Sequence, residues 1–495
     1  MSEWPNQPWI VEINTWPWLG ALALRYGRKV RLDCVPAAVW DELAATHADG
    51  VWLMGVWRRS AAGRRISLAD PNVLAEGGRL FADFSPSDVS GSPYSIAAYQ
   101  VDEQLGGTEG LAKARQELAR RGLRLMLDFV PNHVAPDHPW TTEHSQYFVQ
   151  GDVDEYRKNP TSFLLAGDKV IARGRDPYFP AWLDTAQLNA FDSGLRSAAL
   201  ETLQGIALQC DGVRCDMAML LMNRIFAQTW AGRAGPQPPT EYWQYVIPLI
   251  RRVRPGFLFV AEAYWDLEWD LLQQGFDYCY DKRLYDRMVE GRAELIREHL
   301  KSPIDYQRRL LRFLENHDEP RAATTFSTQQ NRVAAVALMT LPGAKLLQDG
   351  QFSGARTKLS VHLGRPPHEP ADGDLQSFFQ RLLDVVRGLE LGKGEWHLCQ
   401  LHGWPDNQSC RNLVAWCWQV HGIKSLQVLN FSPYRSQARV KLPWKDLANQ
   451  DWQVGDPLVN ADYGRRPGQE LAESGLYVDL DAHSFHFLKL IPLGT

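Results

Sequence analysis

The sequence lacks the marks of a disulfide scaffold, a zinc protein or a membrane protein. Its seven cysteines are odd in number and include no CxxC pair, so neither a disulfide framework nor a zinc site is indicated. No apolar run reaches the roughly 18 residues that span a bilayer, and the first residues lack the basic and apolar segments of a secretory signal. We therefore expect a soluble protein with reduced thiols that works in the cytoplasm.

The sequence also lacks an excess of charge of either sign. Its 495 residues carry 53 Lys and Arg against 58 Asp and Glu, a formal net charge of −5. This balance gives no general attraction to phosphate backbones or to anionic lipid. We therefore expect neither nucleic acid nor a membrane as a partner, and the sequence indicates no oligomeric state.

Eight short strand-like segments alternate with helical segments over nearly 400 residues. Several of them are apolar almost throughout, which is typical of parallel strands covered on both faces. Eight alternations are more than a doubly wound sheet usually needs, and they predict a (β/α)8 TIM barrel. The predicted strands are residues 9–15, 51–57, 123–130, 212–216, 256–262, 276–280, 311–317 and 343–348.

Two stretches depart from this alternation. Residues 134–190, after the third strand, are rich in Pro, Asp, Tyr and Trp and lack a sustained period, so we expect an inserted segment at the rim of the barrel. From about residue 398 the pattern changes to strands separated by turn residues. The predicted organisation is α/β, with a catalytic barrel over 1–397 and a C-terminal antiparallel β-sandwich domain over 398–495.

Carboxylates, histidines and an arginine stand at the ends of four predicted strands. In a (β/α)8 barrel the reacting groups come from the carboxyl ends of different strands. A lone Asp in such a place is more often a solvated loop charge or a helix cap, but a group of this size predicts an active site. In chain order the candidates are Asp128, Asn132, His133, Arg214, Asp216, Glu262, His317 and Asp318.

Two of these carboxylates have different predicted surroundings. Arg214 and Asp216 lie two residues apart, so their side chains leave the same face of a strand, and the guanidinium favours an ionised Asp216. Glu262 follows an apolar run, whose desolvation would raise the pKa of Glu262 and retain its proton. Enzymes that cleave glycosidic bonds use one ionised and one protonated carboxyl group.

A sugar substrate also needs hydrogen-bond donors and flat apolar faces. His133 and His317 are the candidate donors, and Tyr94 is the candidate stacking face. Trp265, three residues past Glu262, is a candidate for stacking on the leaving-group sugar, although ordinary packing accounts for it equally well.

Four short motifs carry these candidates. They are Asp128-x-x-x-Asn132-His133, Gly212-x-Arg214-x-Asp216, Glu262 within FVAEAYW, and Asn316-His317-Asp318. In order and separation they resemble the four signature regions of the α-amylase family, glycoside hydrolase family 13. The likeness continues through residues 92–107, 182–189 and 341–351, and so extends over the whole barrel.

The resemblance implies an enzyme that cleaves α-glucosidic bonds with retention, through a covalent glycosyl-enzyme intermediate. It assigns three catalytic roles, which are nucleophile for Asp216, general acid and base for Glu262, and transition-state stabiliser for Asp318. It implies substrate contacts for Arg214, which also orients the nucleophile, and for Tyr94, His133 and His317. Structural support is implied for Asp128 and Asn132.

The chain departs from the family pattern at Met219 and Leu220. Many endo-acting members carry a Lys-His pair there, which contacts the sugar and supports a calcium site. Asn132 remains as one potential ligand, but calcium takes about six to eight oxygens. We therefore expect no metal site and no cofactor, with calcium left open, and we leave endo or exo action open too.

Three functions follow from these residues. The first is hydrolysis of α-glucans, oligosaccharides or disaccharides. The second is transfer of the glucosyl unit to a sugar or to phosphate, as in trehalose-forming isomerases, glucanotransferases and sucrose phosphorylases. The third is a non-catalytic sugar-binding relative, against which the intact carboxylates of Asp216, Glu262 and Asp318 argue. The substrate and its linkage stay open.

Overall fold

The computed structural model describes residues 3–493, and eight of its strands form a closed parallel barrel. The barrel strands are β1 (Trp9–Asn14), β2 (Gly50–Met54), β3 (Arg124–Phe129), β4 (Gly212–Cys215), β5 (Leu258–Ala261), β6 (Tyr278–Tyr280), β7 (Leu310–Arg312) and β8 (Ala344–Gln348). They follow one another around the ring in chain order, and β1 lies between β2 and β8. Each of the eight predicted strands supplies one barrel strand, so the predicted fold class is confirmed.

The register of the barrel strands fixes where the candidate carboxylates emerge. The strands are apolar because both faces are covered, and β2, β4 and β5 are buried at every residue. Cys215 of β4 pairs with Ala261 of β5. Asp216 and Glu262 are the next residues along each strand, so the pairing alone brings them side by side at the carboxyl end.

Helices follow most of the barrel strands. No helix within residues 3–493 is long and apolar enough to cross a membrane. The helices are α1 (Thr15–Tyr26), α2 (Ala37–Ala44), α3 (Ala61–Ala69), α4 (Pro71–Leu80), α5 (Gly107–Arg120), α6 (Trp140–Glu143), α7 (Val153–Lys158), α8 (Ser193–Gln209), α9 (Asn223–Trp230), α10 (Tyr242–Val253), α11 (Glu268–Gln273), α12 (Lys282–Glu290), α13 (Ala293–Leu300), α14 (Ile304–Gln307), α15 (Ala322–Thr325), α16 (Thr328–Thr340), α17 (Gly373–Leu389) and α18 (Gly468–Glu473). Turns of 3-10 helix lie at Leu32–Cys34, Pro86–Asp88, Glu103–Leu105, Ser145–Tyr147, Ala218–Leu221, Leu391–Lys393, Ser409–Asn412 and Leu447–Asn449.

The stretch after β3 holds short elements around a small apolar core of its own. Phe163–Ala166 and Lys169–Ala172 form a hairpin. His133–Val134 pairs with Ala186–Gln187, which closes the stretch at its two ends. A further pair of short strands joins Trp57–Arg59 to residues of the strand Ile96–Val101.

The C-terminal part of the chain forms two antiparallel sheets. Its strands are β9 (Glu395–Leu398), β10 (Gln400–His402), β11 (Leu413–Val420), β12 (Ile423–Asn430), β13 (Ser436–Lys441), β14 (Trp452–Asp456), β15 (Ala461–Arg466), β16 (Leu476–Leu480) and β17 (Phe485–Pro492). The larger sheet has the order β9-β11-β12-β17-β14-β15, and the smaller has the order β10-β13-β16. This matches the predicted change of pattern near residue 398, while the predicted domain boundaries stay predictions.

The chain divides into two compact units that cut across these elements. Among the described residues, the first holds Ile10–Tyr280 and Lys358–His368 with residues 3–5, and the second holds Asn6–Trp9, Asp281–Thr357 and residues 369–493. In the second unit α16 and α17 share an apolar core with residues of β11.

Two indole groups of β11 bind the last residue of α16. Trp416 Nε1 donates to Thr340 Oγ1 at 3.2 Å, and Trp418 Nε1 donates to the carbonyl oxygen of Thr340 at 2.7 Å. All three residues are buried. Since a buried carbonyl without a donor is costly, these bonds tie the larger sheet to the helix.

We expect Trp418→Phe to lower the melting temperature more than Trp444→Phe does. Both changes shrink a buried ring by the same amount, but Trp444 Nε1 has no acceptor among the described residues. Loss of the Trp418 hydrogen bond should cost an additional ~1–3 kcal/mol of unfolding free energy. Differential scanning calorimetry of the two variants measures the difference, and equal melting temperatures would contradict the assignment.

Candidate active site

One guanidinium group binds two carboxylates at the ends of β4 and β5. Arg214 Nη1 lies 2.6 Å from Asp216 Oδ1, and Arg214 Nη2 lies 2.8 Å from Glu262 Oε1. All three side chains are buried. The sequence predicted the contact with Asp216 from the two-residue spacing, but it did not predict the contact with Glu262.

Aromatic rings enclose the same guanidinium. Arg214 Cζ lies 5.4 Å from the ring centre of Trp52, 5.3 Å from that of Tyr94 and 5.8 Å from that of Tyr280. Burial by itself lowers the pKa of Arg214, but the attraction of Glu262 and its other neighbours raises that pKa well above its ordinary value. The group therefore stays charged and holds a fixed place between the two carboxylates.

The two carboxylates differ in how many of their oxygens are engaged. Asp216 Oδ2 is buried and has no hydrogen-bond partner among residues 3–493. Glu262 Oε1 also accepts a hydrogen bond from Tyr264 Oη at 3.0 Å, and Glu262 Oε2 accepts one from the Met217 amide at 2.6 Å. One carboxylate thus keeps an unbound oxygen, while the other has a donor on each oxygen.

The donor from Met217 depends on unusual backbone geometry. Met217 has a φ of 43°, in the left-handed region that bulky residues rarely adopt. The amide of the next residue, Ala218, donates to the Glu262 carbonyl at 3.2 Å, so two successive amides face the same residue. The sequence predicted a proton on Glu262 from the apolar run before it and not from these donors. This proton stays a prediction.

Asp128 supports the wall of the site through the end of β2. Its Oδ1 accepts from Trp52 Nε1 at 3.1 Å, and its Oδ2 accepts from the Gly55 amide at 2.8 Å. Trp57 Nε1 donates to the Asp128 carbonyl at 2.8 Å. Because Trp52 lies against the guanidinium of Arg214, Asp128 acts on the site by holding this ring.

His133 follows β3 and is buried beside Trp182, with the two ring centres 5.2 Å apart. Burial lowers the pKa of His133, and the nearby charge of Asp216 opposes this only in part. The imidazole is therefore neutral near pH 7, with a hydrogen-bond donor and an acceptor. Its neighbour Asn132 bonds to the side chain of Gln187, and Asn132 Nδ2 lies 3.3 Å from His133 Nδ1.

Trp265 lies past Glu262 in a second strained segment. Trp265 and Asp266 both have positive φ values, 63° and 61°. The Trp265 ring meets that of Tyr178 edge to face, with ring centres 4.9 Å apart. Tyr178 is 60% exposed, and its amide donates to Asp176 Oδ1 at 2.6 Å. Sequence reasoning missed Tyr178 because it lies in an irregular loop without a motif.

His317 and Asp318 belong to the second unit, on a turn after β7. Asn316 Oδ1 accepts from the amides of Asp318 and Glu319, both at 2.9 Å. His317 Nε2 lies 3.0 Å from Asp318 Oδ2, and the Asp318 side chain is 45% exposed. The structure thus presents Asp318 on a fixed turn with its carboxylate accessible.

A buried ion pair closes this turn. Arg321 Nη2 lies 3.0 Å from Glu315 Oε1, and the Ala322 amide donates to Glu315 Oε2 at 2.6 Å. Sequence reasoning did not single out Glu315 or Arg321, although both flank the Asn316-His317-Asp318 motif. No group of three or more His, Cys, Asp or Glu side chains in the described part of the chain is arranged to hold a metal ion.

Comparisons with known proteins agree with this arrangement. Residues 83–174 match the family model described as "Alpha amylase, catalytic domain". The chain is 26% identical over 349 residues to alpha-amylase MalA of Haloarcula japonica, which covers 67% of this chain and 46% of that protein. It is also 26% identical over 220 residues to an alpha-1,4-glucan:maltose-1-phosphate maltosyltransferase of Burkholderia pseudomallei, covering 43% of this chain and 16% of that protein. The chain therefore spans less than half the length of either relative.

A solved structure extends the likeness to the fold of the whole chain. The maltogenic alpha-amylase AmyB of Thermotoga neapolitana superposes with a TM-score of 0.70 at 17% identity, over 99% of both chains. Family model, sequence relatives and fold all point to α-amylases as the proteins that this chain resembles. The resemblance to the α-amylase family, glycoside hydrolase family 13, that the motifs predicted is therefore confirmed.

Proposed function

We propose that the protein is a retaining glycoside hydrolase that cleaves α-glucosidic bonds in α-glucans, oligosaccharides or disaccharides. The bridge that Arg214 makes between Asp216 and Glu262 carries this proposal. Retaining enzymes place their two carboxyl groups about 5 to 5.5 Å apart, whereas inverting enzymes leave about 6.5 to 9.5 Å for a water. A single guanidinium that binds both groups favours the shorter separation.

The different surroundings of the two carboxylates support their proposed roles. Asp216 is the nucleophile, and its unbound Oδ2 attacks the anomeric carbon while Arg214 holds the other oxygen, Oδ1. Glu262 gives a proton to the departing glycosidic oxygen and later takes one from the water that attacks the glycosyl-enzyme. The second displacement frees Asp216 and leaves the product with its original anomeric configuration.

The remaining candidates bind and orient the sugar. Asp318, accessible on its turn, is proposed to stabilise the positive charge that develops at the anomeric carbon. Neutral His133 supplies hydrogen bonds to hydroxyl groups, His317 supplies further ones, and Tyr94 supplies a stacking face. Trp265 stacks on the leaving-group sugar.

Transfer of the glycosyl unit to another sugar or to phosphate is the competing proposal. The similarity to a maltosyltransferase favours it, because both reactions share the covalent intermediate and differ in the acceptor. We also propose that the protein works in the cytoplasm. Its seven cysteines are free thiols, six of them buried, which suits a reducing compartment.

We expect Asp216→Asn and Glu262→Gln to fold normally and to lose turnover. Each change keeps the size of the side chain but removes the nucleophile or the proton donor, and general acid catalysis alone contributes roughly a hundredfold to ten-thousandfold. Initial rates on a maltooligosaccharide, with circular dichroism as the folding control, measure the loss. Wild-type rates from either variant would refute the role proposed for the substituted residue.

We expect Arg214→Lys to lower kcat at least ~10-fold, since a lysine ammonium lacks the planar fork that binds both carboxylates. Arg196→Lys is the matched control. Arg196 is also buried, but its guanidinium bonds to the carbonyls of Ala190 and Thr240 and to Asn223. We expect the control to keep its kcat at a temperature where both variants are folded. Equal kcat values for the two variants would contradict a special role for Arg214.

The products formed from a panel of α-glucosides, with and without phosphate, separate hydrolysis from transfer. Because water is the proposed acceptor, we expect free reducing sugar to account for the cleaved bonds at every substrate concentration. Chromatography of all products measures the partition. The hydrolase proposal would be contradicted, and the transfer proposal supported, if the main products were new disaccharides, longer oligosaccharides or sugar phosphates.

A further inference from the structure

Gln187 lies against Asn132, the residue that the family resemblance offers as a potential calcium ligand. Its side chain is fully buried. Gln187 Nε2 donates towards three oxygens, the Asn132 carbonyl at 2.9 Å, Asn132 Oδ1 at 3.1 Å and the Leu188 carbonyl at 2.9 Å. The three oxygens therefore converge on an amide nitrogen that the protein itself supplies.

The surroundings fix the direction of this amide. Gln187 Oε1 accepts from Asn132 Nδ2 and from the Arg175 amide, both at 3.4 Å. The reversed amide would place its oxygen against three other oxygens and its nitrogen against two donors. The hydrogen-bond network thus permits only the direction in which the nitrogen faces the oxygens.

These residues do not fit a calcium ion. Calcium binds about six to eight oxygens at about 2.3 to 2.6 Å, usually with carboxylates among them. Here only three neutral oxygens surround the Gln187 nitrogen. No metal-binding group of three or more His, Cys, Asp or Glu occurs within residues 3–493. An ion bound to these oxygens would also overlap the Gln187 amide, whose nitrogen lies within 3.1 Å of each of them.

We propose that the Gln187 amide replaces a cation as the cross-link at this point of the fold. Gln187 pairs with His133 in the short sheet that closes the stretch after β3, and its carbonyl accepts from the Val149 amide at 3.0 Å. The side chain adds bonds to the residue before His133. A neutral internal group thereby holds the loop end that a bound ion would otherwise hold.

Gln187 is consequently a positioning residue for His133. The bonds to Asn132 fix the backbone from which the imidazole projects, and His133 lies near the charge of Asp216. This consequence for turnover rests on the proposed function, whereas the replacement of the cation does not.

Thermal unfolding of the wild-type protein tests the replacement directly. We expect the same melting temperature, within about 1 °C, in excess EDTA and in excess calcium chloride, because a ligand that does not bind the folded state cannot stabilise it. A melting temperature that falls in EDTA and returns with calcium would overturn the proposal. This readout needs no substrate, so its outcome is independent of the proposed function.

Gln187→Glu converts the cross-link into a possible cation site. The new carboxylate faces three oxygens, so we expect a lower melting temperature than wild type in EDTA and a recovery when calcium is added. Gln307→Glu is the matched control, since Gln307 is also fully buried and donates to the His299 carbonyl at 2.8 Å, but its Oε1 accepts from Arg312. We expect no calcium response from the control.

The same variant tests the positioning role. In EDTA we expect Gln187→Glu to have a raised KM and a lowered kcat at temperatures where it stays folded, and calcium should restore both together with the melting temperature. A calcium response no larger than that of Gln307→Glu would contradict the replacement. Wild-type kinetics in EDTA despite a lowered melting temperature would contradict the positioning of His133.

Discussion

The site depends on one buried cation that is shared by two carboxylates. Removing Arg214 from water is costly, and the cost is offset only because Asp216 and Glu262 bind its two terminal nitrogens at hydrogen-bonding distance. Three aromatic rings complete the enclosure and exclude water from the group. The guanidinium therefore has a single favourable position, and this position fixes where the two acidic groups lie relative to each other.

The barrel is what makes this arrangement possible. The parallel register of β3, β4 and β5 places Asp128, Arg214 and Val260 in line, so the residues that follow reach the same end of the barrel. Asp128 binds the indole nitrogen of Trp52, and the Trp52 ring lies against this cation. The chemistry thus uses side chains from strand ends, while the strands and their aromatic neighbours determine their geometry.

The sequence predicted the parts of the protein that follow a regular period. The eight barrel strands were predictable because buried parallel strands are short apolar runs between helices, and Asp216 and Glu262 were predictable because they end two such runs. The contact of Glu262 with the Met217 amide was not, because it depends on the left-handed backbone of Met217, which no local pattern indicates. Tyr178 was missed for a similar reason, since it lies in an irregular loop whose path is set by tertiary packing. Gln187 lies in a short strand within residues 182–189, but its bonds to Asn132 depend on the tertiary pairing of this strand with His133. The motif did identify Asn132, but it gave no sign that its partner is an amide.

The central claim is that Arg214 holds Asp216 ready to bond to the anomeric carbon. It is tested most directly by trapping the covalent intermediate with a fluorinated α-glucosyl fluoride, which slows the second displacement, and by mapping the labelled peptide with mass spectrometry. We expect one sugar per chain, attached to Asp216, with labelling strongly slowed in Arg214→Lys. A label on any other residue, or turnover of the reagent with no covalent adduct and an inverted product, would contradict the account.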